Sequence, residues 1–272
     1  MRNFIRLSKS VLDIEEEQAV IQVLKDGYLG MGRKVQEFES NLSTMMKRPV
    51  ACVSSGTSAL HLALQACGIG RGDEVLVQSI TYLASFQAIS SCGAKPKACD
   101  INLDSLTIDL KDAQKRLTSN TKAIMPVHYA GDPGEIENVY EFAKNNDLRV
   151  IEDAAHAFGS RYNNKYVGSF GDIVCFSFDG IKNITAGEGG CLVTNDKKIL
   201  EKAKVYRSLG VINESELRYK KKRRWDYNVK SQGWRYHMSD INAAIGISQL
   251  KRFKKLAYKR QTIAKKYDAY FK

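Results

Sequence analysis

Short apolar or β-branched runs alternate with helical patterns along most of this chain, and that alternation restricts the fold more than any other feature. Runs at 50–53, 74–78, 96–100, 123–128, 149–152, 173–178 and 191–194 read as strands. Helical periodicity fills the intervals at 13–25, 34–46, 57–67, 82–91, 110–117, 135–144 and 197–208. Strands interleaved with helices in this way build a largely parallel sheet covered on both faces. The expected class is therefore α/β, with a mostly parallel seven-stranded sheet. A length of 272 residues suffices to bury such a core as one large domain, or as one domain with an appendage.

Ligands of these folds sit at the carboxyl ends of the strands, which directs attention to a few residues. Ser54-Ser55-Gly56-Thr57-Ser58 follows a strand and opens a helix, placing free backbone N–H groups and hydroxyls where an anion can bind. The same residues would serve equally well as a routine helix cap. They are not a P-loop, because the G-x-x-x-x-G-K-[ST] spacing is absent. Asp153 ends the run Val150-Ile151-Glu152 and is costly to bury unless it meets a cation; the plainer alternative is an N-cap. Tyr82 follows another strand and either stacks on a flat ring or packs into the core. Lys182 lies in the glycine-containing stretch Phe176-Ser177-Phe178-Asp179-Gly180-Ile181-Lys182-Asn183-Ile184-Thr185-Ala186-Gly187-Glu188-Gly189-Gly190. A lysine there, with an acid at the end of another strand, suggests pyridoxal phosphate chemistry, although by itself it could be a surface side chain.

Composition narrows the field further. No uninterrupted apolar stretch approaches the ~18 residues of a membrane span, and residues 1–10 lack the apolar core of a signal peptide. The expected location is cytoplasmic. The six cysteines form no C-x-x-C pair, which favours reduced, buried thiols over disulfides or zinc. No metal site is expected. The net charge of +12 is localised: residues from 201 onward hold 20 Lys/Arg against 6 Asp/Glu, while residues 1–200 hold 22 against 24. The run Lys220-Lys221-Lys222-Arg223-Arg224 is either a solvated loop or a contact for an anionic partner. A nucleic-acid module is disfavoured, because the tail carries no recognisable binding motif of that kind.

Taken together, these segments resemble the sugar aminotransferases of the DegT/DnrJ/EryC1/StrS family. The resemblance runs from near Leu12 almost to the last residue. It rests on Asp26-Gly27-Tyr28-Leu29-Gly30-Met31-Gly32, on 54–64, on Gly70-Arg71-Gly72-Asp73-Glu74-Val75 and on Pro126-Val127-His128. Ile151-Glu152-Asp153-Ala154-Ala155-His156-Ala157, 167–172, 176–190 and Met238-Ser239-Asp240-Ile241-Asn242-Ala243-Ala244-Ile245-Gly246 complete it. The resemblance implies the large domain of a fold-type I aminotransferase that uses pyridoxal 5'-phosphate. It further implies transfer of an amino group, with glutamate as donor, to a nucleotide-linked keto-sugar, in amino-sugar and surface polysaccharide (lipopolysaccharide) biosynthesis. A homodimer with shared active sites is implied as well.

Roles carry over by position. Lys182 falls where the family holds its cofactor covalently, Asp153 where an acid pairs with the pyridine nitrogen, and His156 beside the ring hydroxyl. Tyr82 falls where an aromatic side chain stacks on the ring. Gly56, Thr57, Ser58 and Ser177 fall where the phosphate is bound. Related dehydratases carry His in place of the lysine, so Lys182 favours transamination. Two positions depart from the pattern: Arg235 stands where the family has Asn, and His237 where it has Arg. The first normally reaches the phosphate of the neighbouring subunit, a task Arg can perform as a charge-assisted donor. His61, His128 and His237 are expected to be packed or surface residues. The expected organisation is a cofactor-binding domain with an N-terminal arm over 1–250. A helix over 251–272 then leads toward a small C-terminal domain, largely missing here, so that a fragment or a truncated, non-catalytic member of the fold is the competing expectation.

Overall fold

The computed structural model describes residues 8–212 and 228–271. The elements follow in the order α1 (Ile14–Asp26), α2 (Arg33–Met46), β1 (Val50–Val53), α3 (Gly56–Ala66), β2 (Glu74–Gln78), α4 (Leu83–Ser91) and β3 (Lys95–Cys99). Next come α5 (Leu110–Arg116), β4 (Thr121–Met125), a 3-10 turn (Tyr129–Gly131), α6 (Ile136–Asn145) and β5 (Arg149–Asp153). A short hairpin of β6 (Arg161–Tyr162) and β7 (Lys165–Tyr166) precedes β8 (Ile173–Ser177), β9 (Gly190–Thr194), α7 (Lys197–Tyr206) and α8 (Asp240–Tyr270).

The seven-stranded sheet has the order β1-β9-β8-β5-β4-β2-β3. From β8 to β3 all neighbours are parallel, whereas β9 runs antiparallel to both β8 and β1. Strands β1, β2, β8 and β9 are buried along their whole length, since helices cover both faces. On one face Val50, Cys52, Val174, Phe176, Cys191 and Val193 pack with α2 and α8. On the other, Val75, Val77, Ala123, Met125, Ile151, Ile173, Cys175 and Leu192 pack with α3, α4 and α7. All six cysteines are free thiols.

Local chemistry sets the helix limits. Asp13 and Glu16 form a capping box at the start of α1, and Gly27 ends it in the left-handed region at φ 70°. Gly32 has no side chain with which to cap α2. A residue far along the chain does so instead: the Asp240 carboxylate accepts from Gly32 N at 2.8 Å and Val35 N at 3.0 Å.

All seven expected strands are present, but three details differ from the sequence reading. The run expected to continue to residue 128 is a continuous strand only to Met125, because Pro126 has no N–H for the ladder, although Val127 still bridges Asp153 in parallel. The helix expected over 251–272 begins already at Asp240, capped by Ser239, and runs unbroken past residue 250. The β6–β7 hairpin was not foreseen; its turn residues Asn163 and Asn164 both have positive φ. The basic run Lys220 to Arg224 lies outside the described residues. Among the described residues, no helix is long and apolar enough to cross a membrane.

Candidate active site

Because β8, β5, β4 and β2 are parallel, their carboxyl ends meet at one edge of the sheet. Antiparallel β9 begins at the same edge, with Gly190 opposite both Ser177 and Val53. Nearly every residue singled out from the sequence therefore arrives at one place, from segments far apart in the chain.

The turn after β1 is held by hydroxyls. Ser58 N donates to Ser55 Oγ at 3.0 Å, and Ser55 N donates to Ser58 Oγ at 2.9 Å, forming a reciprocal cap on α3. Thus Ser58 is buried and already engaged, while Thr57 is exposed. The cap and the anion cradle are not exclusive, because the first turn of α3 still directs its N–H groups and partial positive charge outward. Close approach fixes the shape of the cradle. A Cβ on Gly56 would lie 2.8 Å from Ser177 Cβ, and one on Gly190 would lie 2.4 Å from the Ser55 carbonyl oxygen. Ser177, at the end of β8, is buried against this turn.

Asp153, at the end of β5, is 4% exposed. Its Oδ2 accepts from Ser85 Oγ at 2.7 Å, and its Oδ1 accepts from Ala155 N at 3.1 Å. Among the described residues no lysine or arginine bonds this carboxylate, so a buried acid lacks a cationic partner. His156 is partly buried nearby. Burial lowers its proton affinity, the charge of Lys182 lowers it further and that of Asp153 raises it, which places both of these groups within electrostatic reach of His156.

Lys182 lies on the connection between β8 and β9 and is partly buried. This connection is fastened at several points. Phe178 N donates to Gly189 O, Asn183 Nδ2 donates to Phe158 O at 2.8 Å, and Asn242 Nδ2 donates to Ala186 O at 2.7 Å. Tyr82 is the N-cap residue of α4 and is 73% exposed, so core packing is not its role. Arg235 is also exposed. Its neighbour Tyr236 accepts from Ser54 N at 2.7 Å, so the backbone at 235–236 borders the cradle.

Two features of this edge escaped the sequence reading. Ser85, one turn into α4, is fully buried on Asp153. Glu152 and Asp153, though adjacent, point to opposite faces of the sheet. Glu152 is 0% exposed; it accepts from Tyr140 Oη at 2.7 Å and bonds His128 Nε2 at 2.9 Å. The period of two along a strand was the available signal, since two consecutive acids cannot share a face. His128 and His61 are packed as expected, the latter against Trp234 with ring centroids 4.8 Å apart.

A lysine, a buried acid and the open start of a helix thus lie at the carboxyl edge of a largely parallel sheet, an arrangement that suits a pyridoxal phosphate enzyme. Comparison with known proteins agrees: residues 11–272 match the DegT/DnrJ/EryC1/StrS aminotransferase family, and the chain belongs to it. It is 38% identical over 271 residues to the spore coat polysaccharide biosynthesis protein SpsC of Bacillus subtilis, covering 99% of this chain and 69% of that one. PseC of Helicobacter pylori, an aminotransferase involved in the biosynthesis of pseudoaminic acid, superposes with a TM-score of 0.89. It is 35% identical, with 98% of this chain and 70% of that one covered. The putative sugar aminotransferase Spr1654 of Streptococcus pneumoniae, in its PLP form, gives a TM-score of 0.90 at 29% identity, covering 97% and 71%. Pyridoxal phosphate is the cofactor of this family, and the residues present fit it: the start of α3 for an anion, and for a cationic ring nitrogen the buried Asp153, which no lysine or arginine bonds among the described residues.

Proposed function

We propose that this chain transfers an amino group from an amino acid, glutamate in the first instance, to the keto group of a nucleotide-linked sugar. The observation that carries this reading is the gathering of Lys182 and Asp153 about His156, with a buried Asp153 that no lysine or arginine bonds among the described residues. When bound, pyridoxal phosphate supplies an electron-withdrawing ring that accepts the electron pair released at the donor's α-carbon.

The chain's own residues then divide the work. Lys182 Nζ holds the cofactor covalently. Its amine would also serve as the base that takes the proton released at the donor's α-carbon and as the acid that returns it. Asp153 keeps the ring nitrogen protonated, because a nearby carboxylate favours the charged form. A neutral His156 is suited to the ring hydroxyl, and Tyr82 offers its exposed ring for stacking. Gly56, Thr57, Ser58 and Ser177 form the phosphate cradle. Arg235 is assigned to the phosphate of a neighbouring subunit. Ile80, Tyr82, Leu83 and Ile181 are all exposed apolar side chains near this edge, which supports a homodimer with shared sites.

Purified protein mixed with pyridoxal phosphate is expected to develop a visible absorbance that Lys182→Ala abolishes. It is also expected to pass the amino group of glutamate to a keto-sugar nucleotide. A protein that stays colourless refutes the cofactor reading. A coloured one that transfers no amino group to any such sugar refutes the substrate reading.

A further inference from the structure

We infer that Ser85 is a positioning residue for Asp153, and that Thr81 and Ser85 form a hydroxyl relay that orients the carboxylate toward the cofactor's ring nitrogen. The inference rests on the proposed role of Asp153. Ser85 Oγ is 2.7 Å from Asp153 Oδ2, and Thr81 Oγ1 is 2.7 Å from Ser85 Oγ. Each hydroxyl owns a single proton. A carboxylate only accepts, so Ser85 must spend its proton on Asp153, and Thr81 must then donate to Ser85. The competing acceptor for Thr81, the Tyr82 carbonyl, is at 3.3 Å and offers a poorer bond. The direction of the relay follows from this count, and each bond polarises the next.

The relay fixes the plane of the carboxylate. Oδ1 is held by the N–H of Ala155 and Oδ2 by Ser85, so rotation about the Cβ–Cγ bond would break two hydrogen bonds at once. Ser85 is 0% exposed, so the bond is shielded from bulk solvent. Ser85 also lies three residues from Tyr82, on the first turn of α4. The same short segment thus carries the residue proposed to stack on the ring and the one that aims the acid at its nitrogen. A shift of α4 would move both together.

The test uses the holoprotein reconstituted with pyridoxal phosphate labelled with 15N in the ring, whose chemical shift reports protonation of that nitrogen. Ser85→Ala is expected to move the resonance toward the unprotonated position and to weaken cofactor binding about tenfold, the loss of one hydrogen bond to a charged group. Thr81→Val, which keeps the shape of Thr81, is expected to move it the same way by less, and it serves should Ser85→Ala fail to fold. Asp153→Asn is the reference and is expected to give the full shift. If Asp153→Asn shifts the resonance while Ser85→Ala and Thr81→Val leave it at the wild-type position, the positioning role is overturned and the role of Asp153 stands. If Asp153→Asn itself leaves it in place, the reading of Asp153 falls, and the inference falls with it. A purely structural tie between α4 and β5 would lower the melting temperature without moving the 15N signal.

Discussion

Gly190→Ala is the sharpest test of the cradle's geometry. The added Cβ would lie 2.4 Å from the Ser55 carbonyl oxygen, 2.5 Å from its carbon and 2.7 Å from Gly56 N. All three obstacles are backbone, so no side-chain rotation relieves them. The turn after β1 must separate from the start of β9 by about 1 Å to restore ordinary contact distances near 3.5 Å. Overpacking of this kind costs about 2–3 kcal/mol, and for a chain of this size each kcal/mol lowers the melting temperature by about 2–4 °C. The expected fall is therefore roughly 4–12 °C. Because the displaced atoms belong to the phosphate cradle itself, pyridoxal phosphate affinity should fall as well, by about an order of magnitude. Calorimetry and absorbance titration read the two effects, and Gly30→Ala, at a glycine with nothing within 4 Å of its virtual Cβ, is the control. Wild-type melting and wild-type affinity in Gly190→Ala would show that these backbones do not touch and would refute the cradle as described.

Three further outcomes follow from the buried polar groups. Asp240→Ala strips the cap from α2 and leaves two buried N–H groups unpaired, at a cost of about 2–4 kcal/mol in urea unfolding; Asp240→Asn, which keeps an acceptor, should lose less. Glu152→Ala leaves His128 and Tyr140 without their acceptor and should cost about 3–5 kcal/mol, most of which Glu152→Gln should recover in the same assay. His156 and His61 both have proton affinities lowered by burial. The unfolded chain therefore binds protons first as pH falls below the ordinary histidine value of ~6.5, and stability is full above that pH and declines beneath it. His156→Gln should flatten the decline in unfolding free energy between pH 7.5 and 5.5, whereas an unchanged slope would show that His156 does not contribute.

Much of this architecture was legible in the sequence because strand and helix periodicities are local. All seven strands, the cap at Ser55 and the acid at the end of β5 follow from residue patterns within a few positions. Strand direction was not legible, since a fully buried strand such as β9 shows the same apolar run whether it is parallel or antiparallel. Nor was the partnership of Ser85 with Asp153. A serine in the first turn of a helix reads as a polar residue near a cap, and its partner lies 68 positions away. The cap supplied to α2 by Asp240, over 200 positions distant, was hidden for the same reason. Long-range polar pairs leave no periodic trace, so the sequence displays the site's donors and acids but not which of them meet.

The antiparallel course of β9 has a consequence for the timing of order in this protein. A crossover between parallel strands would carry the chain away from the ligand edge through a helix before returning it. Here the chain reverses at that edge, and the Ser177–Gly190 pair closes a loop of about a dozen residues around Lys182. Closing so short a loop costs little chain entropy, and the cost grows only slowly with length. The hairpin therefore keeps Lys182 at the ligand edge through a short loop, and the bonds of Asn183 to Phe158 and of Asn242 to Ala186 complete its placement. Order at this edge thus comes in two parts, a local closure by the hairpin and a later docking of the segments that fasten it.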